Sequence, residues 1–276
     1  MMKNDPTYAL GRSEEEYQRL TEQAAFLRPL TERLFRKAGI GPGMRVLDVG
    51  SGAGDVAFLV SELVGPTGEV VGMDLDGNAL EKARERAKLL NISNVTFVEG
   101  DVRNAELSGE FDAAVGRLIL LYFADPLDGL STIVRRIKKG GIVAFHEMDM
   151  NKDYNGLSYP VESIWNETAQ TILQTFSGAG MHLRMGRLLM KTFLDAGLSF
   201  PSLTEEAIAG GGAVFSGYSW MANTLRNVAP LTEKLGIATV AELELDSLAD
   251  RIRDDAVAGQ ITVSSPPMIG AYARRL

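Results

Sequence analysis

Three glycines at alternate positions, Gly50, Gly52 and Gly54, follow the apolar run Val46-Leu47-Asp48-Val49 and lead into Asp55. Glycine adopts backbone angles closed to other residues and lets a ligand approach the main chain. A strand that delivers such a turn into a helix offers unpaired N–H groups to a polar ligand. A second acid, Asp74, closes the next apolar run, Val70-Val71-Gly72-Met73. A carboxylate there is suited to accept both hydroxyls of a ribose. A third acid sits in Glu99-Gly100-Asp101-Val102. Asp101 is suited to accept an adenine exocyclic amine, with the Val102 N–H donating to a ring nitrogen. Each feature alone has a plainer explanation, a tight turn or a surface acid. Three of them at successive strand ends describe a nucleoside-containing ligand.

The dinucleotide fingerprint is G-x-G-x-x-G. Here the place of its third glycine is Asp55, which argues against a nicotinamide cofactor. A nicotinamide-dependent oxidoreductase stays as the alternative, although no Tyr-Lys pair for a hydride site stands out. A non-catalytic ligand-binding protein is the other rival, because an intact turn does not prove turnover.

Further polar residues are candidates for work on a second substrate. His146 and Glu147 end a fifth apolar run, and ligands of open α/β sheets bind beyond the carboxyl ends of strands. Neighbouring strand residues point to opposite faces, so only one of the two is expected to face a cleft. Glu147 is the preferred group and needs its pKa raised by burial to act as a base. His146 would serve near neutral pH without tuning. Tyr8, Arg12 and Tyr17 lie on an N-terminal segment suited to act as a lid. His182 precedes a helix, where capping or solvation is the simpler role. The Met, Leu and Phe residues between Trp165 and Phe193 read mainly as core.

The elements that would position these residues alternate. Ser13 and Glu16 form a capping box, so a helix is expected from there to Lys37. Strands are expected at 45–49, 70–75, 95–99, 111–116 and 142–147, with helices at 58–64, 79–90 and 127–137. Gly140-Gly141 is expected to be a turn. Strands alternating with helices imply a parallel sheet covered on both faces. Beyond it, 158–177, 183–196, 217–236 and 241–258 read as helices, 200–208 and 268–274 as strands, and Gly210-Gly211-Gly212 as a break.

Composition bounds the function. The chain has 276 residues, 45% of them hydrophobic, and a net charge of −8. Excess acid opposes a surface that tracks nucleic-acid phosphates. With no cysteine, disulfides and thiolate chemistry are excluded, and no metal site is expected. The polar start lacks a signal-peptide stretch, and Phe111 to Phe123 is too short for a membrane span. A cytoplasmic protein without membrane contact is the expectation, and a homodimer stays open.

Taken together, these blocks resemble the class I S-adenosylmethionine-dependent methyltransferases. More narrowly, they are similar to the branch with ubiquinone and menaquinone biosynthesis enzymes and bacterial natural-product enzymes of secondary metabolism. The likeness runs from about Gly41 to Asp149 and includes Met44 to Gly50, Phe111 to Val115 and Lys139-Gly140-Gly141. Where nucleobase and glutamine methylators often carry Asn/Asp-Pro-Pro-Tyr, this chain reads Gly116-Arg117-Leu118-Ile119.

The resemblance implies S-adenosylmethionine as cofactor, S-adenosylhomocysteine as product and a small-molecule acceptor, methylated on carbon, oxygen or nitrogen by direct displacement. It implies that Asp48 orients the turn or the cofactor's amino group. Gly50, Ser51 and Gly52 would line the methionine part, and Asp74 the ribose. Leu75 would pack on adenine, Asp101 and Val102 would hold its edge, and Arg117 would offer its carbonyl. Tyr8, Tyr17 and His182 would contact the acceptor. The implied fold is a Rossmann-like three-layer α/β/α sandwich. Its seven-stranded sheet is mostly parallel with the last strand antiparallel, and extra helices cap the cleft. Residues 1–40 would be a helical lid, 41–150 the cofactor-binding core, and 151–276 cap insertions plus the closing strands.

Overall fold

The computed structural model describes residues 14–105, 107–150 and 156–276, and only the backbone of residues 14–24. The chain opens with helix α1 (Glu14–Ala38). Then come β1 (Arg45–Val49), α2 (Asp55–Val64), β2 (Glu69–Asp74), α3 (Gly77–Leu89) and β3 (Val95–Glu99). They are followed by β4 (Phe111–Arg117), α4 (Pro126–Arg135) and β5 (Ile137–Met148). The second half holds β6 (Ser158–Tyr159), α5 (Ile164–Gly178), α6 (Met185–Asp195), β7 (Ser202–Glu206) and β8 (Ala209–Gly210). It ends with α7 (Gly217–Lys234), α8 (Leu248–Ala258), β9 (Thr262–Ser264) and β10 (Met268–Arg274).

Seven strands form one sheet in the order β3-β2-β1-β4-β5-β10-β7. The pairs β3–β2, β2–β1, β1–β4 and β4–β5 are parallel, and β10 runs antiparallel to β5. The sheet is the Rossmann-like α/β arrangement expected from the strand–helix alternation. Its order reverses between β1 and β4, the kind of switch point where open α/β sheets bind ligands.

The chain divides into two compact units that interleave in sequence. Among the described residues, one holds 27–105, 107–148, 185–205 and 268–276, and the other 14–26, 149–150, 156–184 and 206–267. The first contains the large sheet. Its core joins Leu34 and Phe35 of α1 and Val56, Leu59 and Val60 of α2 to Val46, Val70, Val115 and Ile142 of the strands, all buried. The second contains α5, α7 and α8, packed on one another, and a small sheet in the order β6-β9-β8.

Helix starts follow local chemistry. The Asp76 carboxylate accepts the Asn78 N–H at 3.0 Å, and the Asp125 carboxylate accepts the Leu127 N–H at 3.0 Å. Pro126 occupies the first turn of α4, where its missing N–H costs nothing. Three expectations need correction. The stretch expected as one helix from 158 begins as strand β6, and α5 starts only after the Ser163 cap. The helix expected from 241 starts at Leu248. Gly140 and Gly141 lie inside β5, which absorbs them with a register shift against β4 between Phe111 and Ala113. The capping residue Ser13 lies outside the described residues.

Candidate functional site

The glycine turn leaves β1 with three left-handed glycines: Gly50 at φ 70°, Gly52 at 50° and Gly54 at 91°. Space is also short there. A Cβ on Gly50 would stand 2.5 Å from Ile119, and one on Gly54 2.7 Å from Phe58. The Gly50 and Ser51 N–H groups both donate to the Met73 carbonyl, at 2.8 and 2.9 Å. The turn is therefore stitched to the end of β2. From the other side Arg86 of α3 donates to the Ala53 carbonyl at 2.6 Å and pairs with Asp55 at 2.7 Å. Its guanidinium also lies 5.2 Å from the Phe58 ring centre. Sequence reasoning missed Arg86. An Arg on the helix after β2 gives no local signal, because its partners are 31 and 33 residues away.

Three acidic or polar side chains gather at the ends of β1 and β2. Asp48 is fully buried, and neither of its carboxylate oxygens has a hydrogen-bond partner among the described residues. Burial pushes its pKa well up; Arg117 and, more weakly, the Ala57 amide oppose this, and Asp74 and Asp55 add to it. Ser51 Oγ is also buried without a partner. A buried carboxylate with no partner is costly, so a donor or a cation placed beside it would relieve that cost. Asp74 is held differently. Its Oδ2 accepts the Gly52 N–H at 2.8 Å and its Oδ1 accepts the Asp76 N–H at 2.9 Å. Each oxygen keeps lone-pair capacity for a further donor. Burial raises the Asp74 pKa, against the pull of those amides. Beside it Leu75 is 65% exposed, an apolar side chain with a bare face.

Asp101 is already engaged. Arg103 Nε lies 2.9 Å from both of its oxygens, Arg103 Nη2 lies 2.6 Å from one of them, and the Arg103 N–H donates at 2.9 Å. This clamp lowers the Asp101 pKa and fixes the carboxylate in one orientation. Val102 is buried next to it.

His146 and Glu147 point apart, as strand alternation requires. His146 Nδ1 lies 3.1 Å from Thr31 Oγ1 on α1. That hydroxyl lies 3.2 Å from the Leu27 carbonyl and 3.4 Å from Arg117 Nη1. The set is satisfied when Thr31 donates to Leu27 and accepts from Arg117 and from an Nδ1–H of His146. Burial lowers the His146 pKa to about 3, and the Arg117 and Arg33 charges add to the effect. Burial and the Thr31 contact tie this imidazole to α1.

Glu147 is fully buried. Its Oε1 accepts the Ile119 N–H at 3.0 Å and the Leu120 N–H at 2.8 Å, capping the 3-10 turn Leu120–Tyr122 after β4. The approach to that turn runs through Leu118 at φ 54°, a left-handed conformation that costs a non-glycine residue about 1–2 kcal/mol. Oε2 is buried and unpartnered. Burial raises the Glu147 pKa to about 7, against the pull of the amides at Leu120, Ile119 and Leu121. The capping role of Glu147 was not legible in the sequence.

Of the remaining candidates, Tyr8 and Arg12 lie outside the described residues, and Tyr17 is described only as backbone of α1. His182 is half-buried ahead of α6, among the residues of the second unit. Among the described residues no group of three or more His, Asp or Glu side chains is placed to hold a metal. No helix among them is long and apolar enough to cross a membrane.

A family model described as a methyltransferase domain matches residues 40–191. The ubiquinone/menaquinone biosynthesis C-methyltransferase UbiE of Pseudomonas savastanoi pv. phaseolicola is 33% identical over 186 residues, spanning 62% of this chain and 73% of the relative. Among solved structures, the YcgJ protein of Bacillus subtilis superposes with a TM-score of 0.55 at 17% identity, over 88% of this chain and 96% of its own. The geranyl diphosphate C-methyltransferase of Streptomyces coelicolor A3(2) was solved with Mg2+, geranyl diphosphate and S-adenosyl-L-homocysteine. It reaches a TM-score of 0.55 at 16% identity, over 100% of this chain and 88% of its own. At those identities the two structures establish a shared fold.

Proposed function

The chain belongs to the methyltransferase-domain family and is an S-adenosylmethionine-dependent methyltransferase, and from that premise we propose that it methylates a mid-sized apolar small molecule. The nicotinamide alternative is not favoured: where a dinucleotide site needs its third glycine, Asp55 is ion-paired to Arg86.

The observation that carries the assignment of the site is the orphaned Asp48 carboxylate under the glycine turn. It fits the cofactor's α-ammonium group, which would supply the donors and positive charge that Asp48 and Ser51 lack. Asp74, pre-set by the Gly52 and Asp76 amides, accepts the two ribose hydroxyls, and exposed Leu75 covers one face of the adenine. Asp101 accepts the adenine amine with the capacity that Arg103 leaves it, and the Val102 N–H meets a ring nitrogen. The Arg117 charge interacts with those of Asp55 and Asp48 and balances part of them.

The bound cofactor supplies a sulfonium methyl carbon that an acceptor atom can attack in line with the departing sulfur. The chain's own task is to position and to exclude water. With its pKa raised to about 7 and two amides fixing Oε1, Glu147 is present in both forms near neutral pH: the protonated form is suited to orient an acceptor oxygen and the ionised form to take a hydroxyl proton. A carboxyl with a pKa near the working pH is well matched to that exchange. His146 keeps Thr31 and α1 in register behind it. The UbiE relative, named a C-methyltransferase, supports carbon as the methylated atom, with oxygen and nitrogen as the other outcomes of the test.

The test supplies methyl-tritiated S-adenosylmethionine with 1,4-naphthalenediol, 1-naphthol and 1-naphthylamine as probes for carbon, oxygen and nitrogen. Label in an extractable small molecule is expected. Label recovered only in protein or nucleic acid contradicts the proposal.

A further inference from the structure

The corner that holds Asp48 also holds a cation whose hydrogen-bonding capacity is mostly unused. In the register of β1 with β4, Asp48 pairs with Val115 and Val49 with Gly116. Arg117 comes two residues after Val115, so its side chain leaves the same face of the sheet as Asp48. In the register of β4 with β5, Arg117 pairs with His146, whose Nδ1 lies 3.1 Å from Thr31 Oγ1. Thr31, Asp48, Arg117 and His146 all belong to the sheet-bearing unit.

A guanidinium carries five N–H donors in a fixed fork. Among the described residues Arg117 uses one of them, on Thr31 Oγ1, and at 3.4 Å that bond is long. The charge of Arg117 is felt by Asp55 and Asp48, which favour it, and by Arg28, which opposes it. Asp55 is already ion-paired to Arg86. Asp48 has no hydrogen-bond partner on either oxygen, and Ser51 Oγ beside it has none. An acid and an arginine that share a poorly solvated face usually close into a hydrogen-bonded pair. Here they do not: Thr31 draws the guanidinium toward α1, and the carboxyl stays beneath the glycine turn. A carboxyl and a guanidinium held on one face without a bond between them are the complement of a zwitterion. The amino-acid end of S-adenosylmethionine is one, with its ammonium and its carboxylate on the same carbon.

We propose that the Arg117 side chain binds the α-carboxylate of the cofactor while Asp48 takes the ammonium group, so that Arg117 selects a cofactor with an intact amino-acid end. The arginine fork matches both oxygens of a carboxylate, where a lysine would supply charge alone. The inference rests on the reading of this corner as the cofactor site, and gives a side-chain role to a position expected to serve through its main-chain carbonyl. Were Arg117 only a counter-charge for Asp48 and Asp55, its loss would affect every ligand of the corner alike, with or without a carboxylate.

Titration calorimetry on the full chain separates the two roles. It compares S-adenosylhomocysteine with decarboxylated S-adenosylhomocysteine, which keeps the ammonium, the thioether and the nucleoside. The wild type should bind the decarboxylated compound about tenfold more weakly or worse, as expected for the loss of a hydrogen bond between charged groups. In Arg117→Met the affinity for S-adenosylhomocysteine should fall by a similar factor, while the decarboxylated compound binds at least as well as before, so that the two bind alike. Arg117→Lys should keep part of the discrimination. Equal binding of the two compounds by the wild type, or a discrimination that Arg117→Met leaves in place, overturns the inference and leaves the cofactor reading standing. If Arg117→Met fails to fold, a discrimination in Arg117→Lys equal to that of the wild type overturns it. Binding of neither compound by the wild type overturns the inference and the cofactor reading together.

Discussion

Asp74 is held by two backbone amides before any ligand arrives, so its two oxygens need no rearrangement to receive the ribose. Asp74→Ala should weaken S-adenosylhomocysteine binding by about 1.5–3 kcal/mol, the range for hydrogen bonds to a charged group. Titration calorimetry on the variant, with the fold checked by its thermal transition, reads this directly. An unchanged affinity would remove Asp74 from the site. Glu147 makes a prediction about stability. Its folded-state pKa is raised to about 7 from 4.5, so the native state keeps a proton that the unfolded chain releases. Stability is accordingly lost as pH rises from about 4.5 to about 7. Glu147→Gln keeps an oxygen for the Ile119 and Leu120 amides and removes the charge. Relative to wild type, it should gain roughly 2–3 kcal/mol between pH 5 and pH 8 in denaturant unfolding. A constant difference across that range would contradict the raised pKa. His146 has the opposite sign. Its folded pKa lies near 3, below the ordinary 6.5, so wild-type stability falls as pH drops from about 6.5, and His146→Gln should flatten that limb.

At the scale of elements, the turn between β1 and α2 depends on a helix two elements further on. Arg86 of α3 holds the Ala53 carbonyl and Asp55 at once. Arg86→Ala should lower cofactor affinity about tenfold, in line with the loss of about one charged hydrogen bond net of solvent. Arg86→Lys should recover part of it, since a lysine can reach one of the two partners. Calorimetry on the pair checks both, and equal loss in the two variants would point to general destabilisation instead. The large sheet was legible where a run of buried residues is bounded by turn formers. The strand at Met268–Arg274 was read to the residue, and the first strand likewise, because both are apolar, short and punctuated. The small sheet was not legible. Strands of two or three residues, such as Ser158–Tyr159 and Ala209–Gly210, carry no period, and their pairing partners are far apart in sequence. The same limit hid Arg86 and the capping role of Glu147. The acids Asp48, Asp74 and Asp101 were legible because a strand end is a local feature. Asp101 is held by Arg103 two residues on, whereas the Gly52 amide on Asp74 comes from 22 residues away, a tertiary fact.

For the molecule as a whole, the two compact units carry different chemistry. The sheet-bearing unit gathers the buried acids and the glycine turn, and the other packs the rings of Phe26, Trp165, Phe215, Tyr218 and Trp220 together. Function belongs to the site, and the fold alone does not name it. The central claim is that the corner formed by Asp48, Ser51, Gly52 and Asp74 is a site for S-adenosylmethionine. Calorimetric titration of the full chain with S-adenosylhomocysteine, beside a matched titration with NAD, tests it most directly. The account predicts saturable one-to-one binding of S-adenosylhomocysteine that Asp48→Asn and Asp74→Ala both weaken, and no saturable heat with NAD. Binding of NAD in preference, or S-adenosylhomocysteine binding indifferent to both substitutions, would contradict it.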